Sequence, residues 1–237
     1  MMNYLTFAGR ASYEFGVLIS GDGTFSAPEK NVTTQEIAGK NGNVIFDHGN
    51  FKNMTVRYPA FIRDGMPDKV RDFLNYMASL SGYQRIEDTY HPYEYRLGRF
   101  ITNPQITTHG YKNRGGKFTI EFDCKPQRFL KDGENVITFD ADGQILHRTL
   151  YPAKPFLRIY GTGDGVVGIA SETITLTGID EYIDIDCDLM DAFKGAVNEN
   201  SKVVFSGDEI TIPAGKHGIT FTGDITRVDI TPRWWIV

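Results

Sequence analysis

The sequence predicts a mainly β protein with one α-helix, arranged as two units, and three observations carry that expectation. Apolar and polar residues alternate with period two, as in Met54-Thr55-Val56-Arg57-Tyr58 and Phe118-Thr119-Ile120-Glu121-Phe122-Asp123-Cys124. Such alternation marks strands with one buried face. Only residues 66–82 show apolar spacing of helical period. The balance of charge also changes sign midway: residues 1–134 carry 17 Lys+Arg against 15 Asp+Glu, and residues 135–237 carry 8 against 15. A length of 237 residues suits two domains of ordinary size, and the boundary is placed at 134, beside the turn-rich Lys131-Asp132-Gly133 and Asp140-Ala141-Asp142-Gly143.

The first distinctive stretch is EIAGKNGNVIFDHGNF, residues 36–51. Lys40 between Gly39 and Gly42 invites comparison with a phosphate-binding loop. That loop needs G-x-x-x-x-G-K-[ST] followed by a helix, so that backbone amides and the Lys converge on the phosphates. Here neither the hydroxyl residue nor the helix follows. The stretch therefore reads as a tight turn between strands, with Val44-Ile45-Phe46 as the second strand and Asp47-His48-Gly49-Asn50 as another break. The helix follows within MPDKVRDFLNYMASLSG: Val70, Phe73, Leu74, Met77 and Leu80 share one face, Pro67 suits the first turn, and Gly82 suits the left-handed position beyond the end. Tyr93, Tyr95 and Leu97 read as the apolar face of a further strand.

After residue 150 short strand patterns recur at 156–160, 173–177, 183–187, 202–205, 209–212, 219–222 and 227–230. Gly161-Thr162-Gly163, Gly207-Asp208, Pro213-Ala214-Gly215 and Gly223-Asp224 separate them as turn signals. This rhythm predicts a β-sandwich over residues 135–237.

Chemistry is sparse. His48, His91, His109, His147 and His217 lack the spacing of a zinc site and read as solvated loop residues. Cys124 and Cys187 fall on apolar phases and read as small buried hydrophobes. Asp184-Ile185-Asp186-Cys187-Asp188 alternates carboxylates, yet Leu189 and Gly195 stand where a calcium loop needs Gly and Glu; the three Asp are expected to face water. No nucleophile elbow is present, and paired carboxylates for glycoside cleavage are not a sequence-level signal. No catalytic, cofactor-binding or metal-binding residue is assigned. The ending ITPRWWIV holds the only tryptophans, Trp234 and Trp235; on a strand one should enter a core and the other be presented outward as a candidate exposed aromatic contact.

No stretch reaches the roughly 18 apolar residues of a membrane helix, and MMNYLTFAGR has no secretory pattern. Neither half is basic enough for specific nucleic-acid recognition. Membrane insertion is not expected, and first assembly is expected in a cytoplasm.

Taken in order along the chain, several weak motifs form a succession: Ile37-x-Gly39-Lys40-Asn41-Gly42 with an aromatic at Phe51, the helix at 67–81, Tyr95-Arg96-Leu97-Gly98-Arg99-Phe100, Phe122-x-Cys124-x-Pro126, Lys154-Pro155-Phe156-Leu157-Arg158-Ile159-Tyr160-Gly161, and Pro232-Arg233. This succession resembles the distal tail proteins (Dit) of long-tailed, non-contractile phages infecting Gram-positive hosts. The resemblance implies a non-enzymatic structural protein of the virion tail tip. It implies a ring-forming, tail-tube-like split barrel at residues 1–134 and a galectin-like sandwich at 135–237. It further implies a hexameric ring, a homo-oligomer joining the tail tube protein to the tail-associated fibre protein and, in some members, to receptor-binding proteins. On this view Lys40 and Asn41, at a hairpin corner, are candidate subunit contacts. The chain is too short for the carbohydrate-binding insertions of longer members. The other reading is a carbohydrate-binding sandwich recognising cell-wall sugars through Trp234 or Trp235.

Overall fold

The computed structural model describes residues 2–21, 26–101, 104–109 and 114–237. The chain divides into two compact units, Met1–Arg128 with Val237, and Phe129–Ile236. Residues 129–134 are tied into the second unit: the Leu130 amide donates to Trp234 O at 2.8 Å and the Arg233 amide to Gly133 O at 2.8 Å. Gly133 fits because a Cβ there would meet the Trp234 nitrogen at 2.4 Å.

The first unit is built on one sheet in the order Arg10–Ala11, Leu5–Phe7, Gln84–Asp88, Glu94–Phe100, Gly115–Leu130, Met54–Ile62, Val17–Ile19. Its central pair is antiparallel, with Ile120 opposite Tyr58 and Phe122 opposite Val56. The alternation sends Val56, Tyr58, Ala60 and Ile62 inward beside Phe118, Ile120, Phe122 and Cys124. The helix, Asp68–Ser79, buries Val70, Phe73 and Met77 against them, with Leu74 and Leu80 half-buried on the same cluster. Pro67 sits at the N-cap, one position before the first turn, and Gly82 takes φ +71°.

The strand Glu94–Phe100 runs in the opposite phase from that expected. Arg96 and Gly98 face inward, while Tyr93 is 80% exposed and Tyr95 and Leu97 are half-buried. Two contacts decide the phase. Gly98 lies where a Cβ would meet Ile86 Cδ1 at 2.6 Å and Cys124 Sγ at 2.7 Å, so no larger residue fits between those strands. Tyr95 lies under the Arg85 guanidinium, 3.8 Å from the ring centroid, on the opposite side.

Residues 30–51 form a separate two-stranded ribbon, Lys30–Glu36 with Asn43–Phe51. Its corner spans 37–42, closed by Lys40 N donating to Ile37 O at 3.1 Å, with Gly39 and Gly42 at φ +81° and +80°. The Asp47-His48-Gly49-Asn50 stretch is not a break. It lies within the second strand as an irregularity of register, with Gly49 at φ +75° and its amide donating to Asp47 Oδ1 at 2.9 Å.

The second unit corrects the expected rhythm of short strands. Three of its strands are long, Phe156–Ile169, Glu172–Asp186 and Gly215–Thr231, each absorbing two predicted pieces or extending far beyond one. Before the bend, 156–160 pairs with 182–186 and 227–231, flanked by Ile137–Phe139 and Asp191–Lys194. After it, 165–169 pairs with 172–176 and 219–223, flanked by Gly143–His147 and Val203–Phe205. Leu157, Ile159, Ile183, Ile185, Val228 and Ile230 from the first half share one core with Val167, Ile169, Ile174, Leu176 and Ile219 from the second. The two layers are thus halves of one bent sheet. Residues 209–212 make only an isolated bridge, Ala153 with Ile212.

Gly161-Thr162-Gly163 and Gly223-Asp224, read in the sequence as turns, are the bend itself. A Cβ on Gly161 would meet Asp224 O at 2.5 Å, and one on Gly223 would meet Asp164 O at 2.4 Å. Register shifts fall between Tyr160 and Gly165. Glycine lets two backbones approach closely while the strands bend without ending.

Three substitutions, each followed by urea titration, check this account. Gly223→Ala, at φ +78° with backbone in the way, is expected to lower stability by at least about 3 kcal/mol, left-handed strain and overpacking acting together. Gly178→Ala, at φ +61° with open space around it, should lose only about 1–2 kcal/mol in the same urea titration. Met77→Ala, at a fully buried helix position, should cost about 2–5 kcal/mol.

Candidate functional site

Three surfaces collect the chemistry-bearing residues. The first is the 30–51 ribbon. Lys40 and Asn41 are exposed at its tip, and Ile37, Ile45 and Phe46 are exposed along it, Ile45 at 65% and Phe46 at 52%. Among the described residues no third strand pairs with the ribbon. Lys30 and Asp47 link its strands at 3.2 Å, and His48 Nε2 meets Thr33 Oγ1 at 2.9 Å.

The second is a polar island within the first unit. Tyr58 donates to Asp88 Oδ2 at 2.8 Å, while the amides of Tyr90 and His91 donate to Asp88 Oδ1, each at 2.9 Å. His91 Nδ1 stands 3.0 Å from the same oxygen. Burial pushes the Tyr58 phenol well up, with the Asp88 charge adding to it, and burial pulls the Arg96 guanidinium down. The space beside Asp88, His91 and Arg96 is about 10 Å³, room for about one water and no substrate. The island orients strands and turn; His91 is its member, not a solvated loop histidine.

The third is the outer face of the second unit. Arg158 donates to Asp184 through Nε at 2.6 Å and Nη2 at 2.8 Å. Arg227 holds Asp229 at 2.9 and 2.5 Å, and Arg233 holds Asp186 at 2.7 and 2.9 Å. Each guanidinium also lies over an aromatic ring: Arg158 over Tyr182 at 4.8 Å, Arg227 over Tyr160 at 4.6 Å, Arg233 over Phe156 at 5.6 Å. Asp184, expected to face water, is only 3% exposed, because Arg158 covers it. The Arg227 fork holds the Asp229 carboxyl below the usual range. For Asp186 burial works upward, and the Arg233 fork and backbone amides outweigh it, leaving the carboxyl lowered. A general acid needs the reverse, a raised carboxyl. Among the described residues no group of three or more His, Cys, Asp or Glu is placed to hold a metal ion.

The tryptophans take different places. Trp234 is 9% exposed and stacks on His147, centroids 4.2 Å apart. Trp235 is half-buried, stacks on Tyr151 at 4.7 Å and donates Nε1–H to Pro152 O at 2.9 Å. His147 is a core residue at 2% exposure, its Nδ1 2.9 Å from Ile212 O; burial lowers its basicity against the upward pull of the Pro213 and Ile212 carbonyls. His217 is partly exposed, 3.1 Å from Ala214 O, and the His109 side chain lies outside the described residues. Both cysteines are buried, which pushes each thiol up to about 12.

The forks were not assigned as a site from the sequence, although Arg158-x-Tyr160, Tyr182-x-Asp184-x-Asp186 and Arg227-x-Asp229 carry their period-two signal. Only strand register shows that these segments are neighbours. Arg158→Ala should destabilise by about 3 kcal/mol, because Asp184 is left buried without its cation. Arg158→Met with Asp184→Leu should recover most of that loss. Since Asp186 and Asp229 are depressed in the fold, the stability they add is complete above the unfolded carboxyl value of about 3.9. It is lost as pH falls through the lower folded values, which melting curves in acid will show. Cys124 and Cys187 should resist alkylation at a pH of about 8 until denaturant is added.

No protein-family model and no curated protein sequence matches the chain. A solved structure does: the Dit protein of phage SPP1, described as a paradigm of the hub adsorption apparatus in phages infecting Gram-positive hosts. The match covers 97% of this chain and 98% of that one, at a TM-score of 0.75 and 15% identity. Two β units with one α-helix among the described residues, matched over nearly their whole length, give this chain a Dit-like fold.

Proposed function

We propose that this protein is a structural component of a phage tail tip, a hub that assembles as a hexameric ring. The ring joins the tail tube protein on one side to the tail-associated fibre and host-adsorption proteins on the other, with receptor-binding proteins as further partners. The observation that carries this reading is the fold match along both units to a hub protein. In this reading the work of the molecule is subunit contact rather than catalysis, its place is the virion, and its assembly occurs in the host cytoplasm.

The ribbon supports the same reading on physical grounds. A two-stranded hairpin is marginal in water by itself, and this one leaves Ile45 and Phe46 exposed with both edges unpaired among the described residues. Such edges and side chains are an association surface. A head-to-tail contact repeated by rotation closes a ring without any reactive group. Lys40 and Asn41, at the ribbon tip, are assigned to the neighbouring subunit.

Purified protein, alone and mixed with its tail tube protein, should give a six-subunit mass by light scattering and a ring in negative stain. Monomers only, at high concentration and with the tube protein present, would remove this reading. Lys40→Glu with Phe46→Ser should shift the population toward monomer at least tenfold while leaving the thermal transition of the monomer unchanged.

A further inference from the structure

The helix Asp68–Ser79 leaves an apolar groove beside its first two turns. Val70 is its buried floor, half-buried Met66, Leu74 and Ile106 are its walls, and Pro67 closes one end around a volume of about 290 Å³. The Met66 amide donates to Arg114 O at 3.1 Å, and Gly116 leaves room for Ile106 and Met66, which a Cβ there would meet at 3.1 and 3.5 Å. Polar groups stand only on one rim, at Arg71 and Asn75.

The same unit carries a projection that matches this groove. Strand pairing puts Phe46 on one face of the ribbon with Val44, Thr33 and Gln35, and Ile45 on the other with Thr34, Glu36 and Asn43. The Phe46 face is thus apolar and uncharged at its centre. A subunit's own ribbon does not fill its own groove. The ribbon is rooted at the start of Met54–Ile62 and the groove lies past the end of that strand, about 27 Å away.

We propose that, in the ring assigned above, the Val44–Phe46 face of one subunit's ribbon seats in the helix groove of its neighbour. The inference rests on that ring reading and names the two patches that meet. A head-to-tail contact needs two different, complementary patches on one chain. A void of about 150 Å³ already takes a benzene ring, so the groove has room for the Phe46 ring with Val44 beside it, and Met66 offers an adaptable thioether wall.

Charge selects the same pairing. Asp68 and Asp72 both reach Arg71, at 3.1 and 3.9 Å, which leaves one negative charge beside that rim. Lys69 is turned away from it, its stem against Gly16 and Gly65, and Asp64 is matched by Arg114 at 2.6 Å. On the ribbon Lys30 is matched by Asp47, Glu36 belongs to the Ile45 face, and Lys40 at the tip has no ion pair among the described residues. Lys40 lies beyond Asn43, which is about 10 Å along the strand from Phe46, and Asp68 lies about 9 Å along the helix from Leu74. Ring and ammonium therefore reach groove and carboxylate together.

The test is oxidative cross-linking of full chains with the tail tube protein present, a Val44→Cys chain mixed with an Asn75→Cys chain. Both positions border the contact and leave Phe46 and the groove walls intact, and the native Cys124 and Cys187 are buried. Expected is a reductant-sensitive pair with one chain of each kind, about tenfold above a control of Val44→Cys with Lys69→Cys, because the seated ribbon raises the local concentration. Lys40→Glu alone should lower ring formation about fivefold, the scale of an exposed ion pair, and Lys40→Glu with Asp68→Lys should restore it. Six-subunit rings without the cross-link, or a charge swap that restores nothing, overturn the groove contact and leave the ring reading standing. Monomers throughout overturn both. Cross-linking of Val44→Cys chains only to each other overturns the proposal in favour of ribbon pairing. Shielding of Asn75→Cys from a maleimide only when tube protein joins preformed rings overturns it in favour of that partner.

Discussion

The polypeptide of the second unit has to cover one apolar core from both sides with strands that never stop, and close backbone contact at the bend makes this possible. At Gly161 and Gly223 the neighbouring chain passes within 2.4–2.5 Å of where a Cβ would stand. Any side chain there would force the strands apart and end the ladder. Because they remain close, Phe156–Ile169, Glu172–Asp186 and Gly215–Thr231 turn together and send alternate residues into the same interior from two layers. The shared core and the separate edge strands of each layer both follow from that close approach.

The outer face of the same unit shows how a β-sheet handles buried charge. Asp184 is almost fully covered, and a lone carboxylate so placed would lose its hydration at a cost of several kcal/mol. Each of the three forks answers this with two parallel hydrogen bonds from a guanidinium whose plane then rests on a ring. The result is a stiff polar skin in which the carboxylates are committed to structure. Side chains held in fixed rotamers in this way would lose little further entropy if another surface packed on them.

The first unit makes the complementary choice. Its interior accepts a guanidinium, Arg96, so that Gly98 can lie between Ile86 and Cys124, and its ribbon is left without a core of its own. Ile45 and Phe46 stay in solvent in the single chain, and in the proposed ring they would lie against a neighbouring subunit.

Local pattern was enough for the mainly β class, the helix and its buried face, the buried cysteines, and the corner at Gly39-Lys40-Asn41-Gly42, since each depends on residues near in sequence. The phase of Glu94–Phe100 was not legible, because Tyr, Leu and Arg can each cover apolar surface and only the close approach at Gly98 decides between the faces. Nor was the joining of paired short strands into long ones, as a glycine pair signals a turn and a bend equally. His147 gives no local sign that its ring will stack on Trp234, a residue 87 positions away. The forks are matters of register between distant strands. What the sequence by itself determined is which residues alternate and where the backbone is permitted to be unusual; which strands meet, and therefore which carboxylates, guanidinia and hydroxyls converge, was decided only when the tertiary fold brought segments dozens of residues apart into contact.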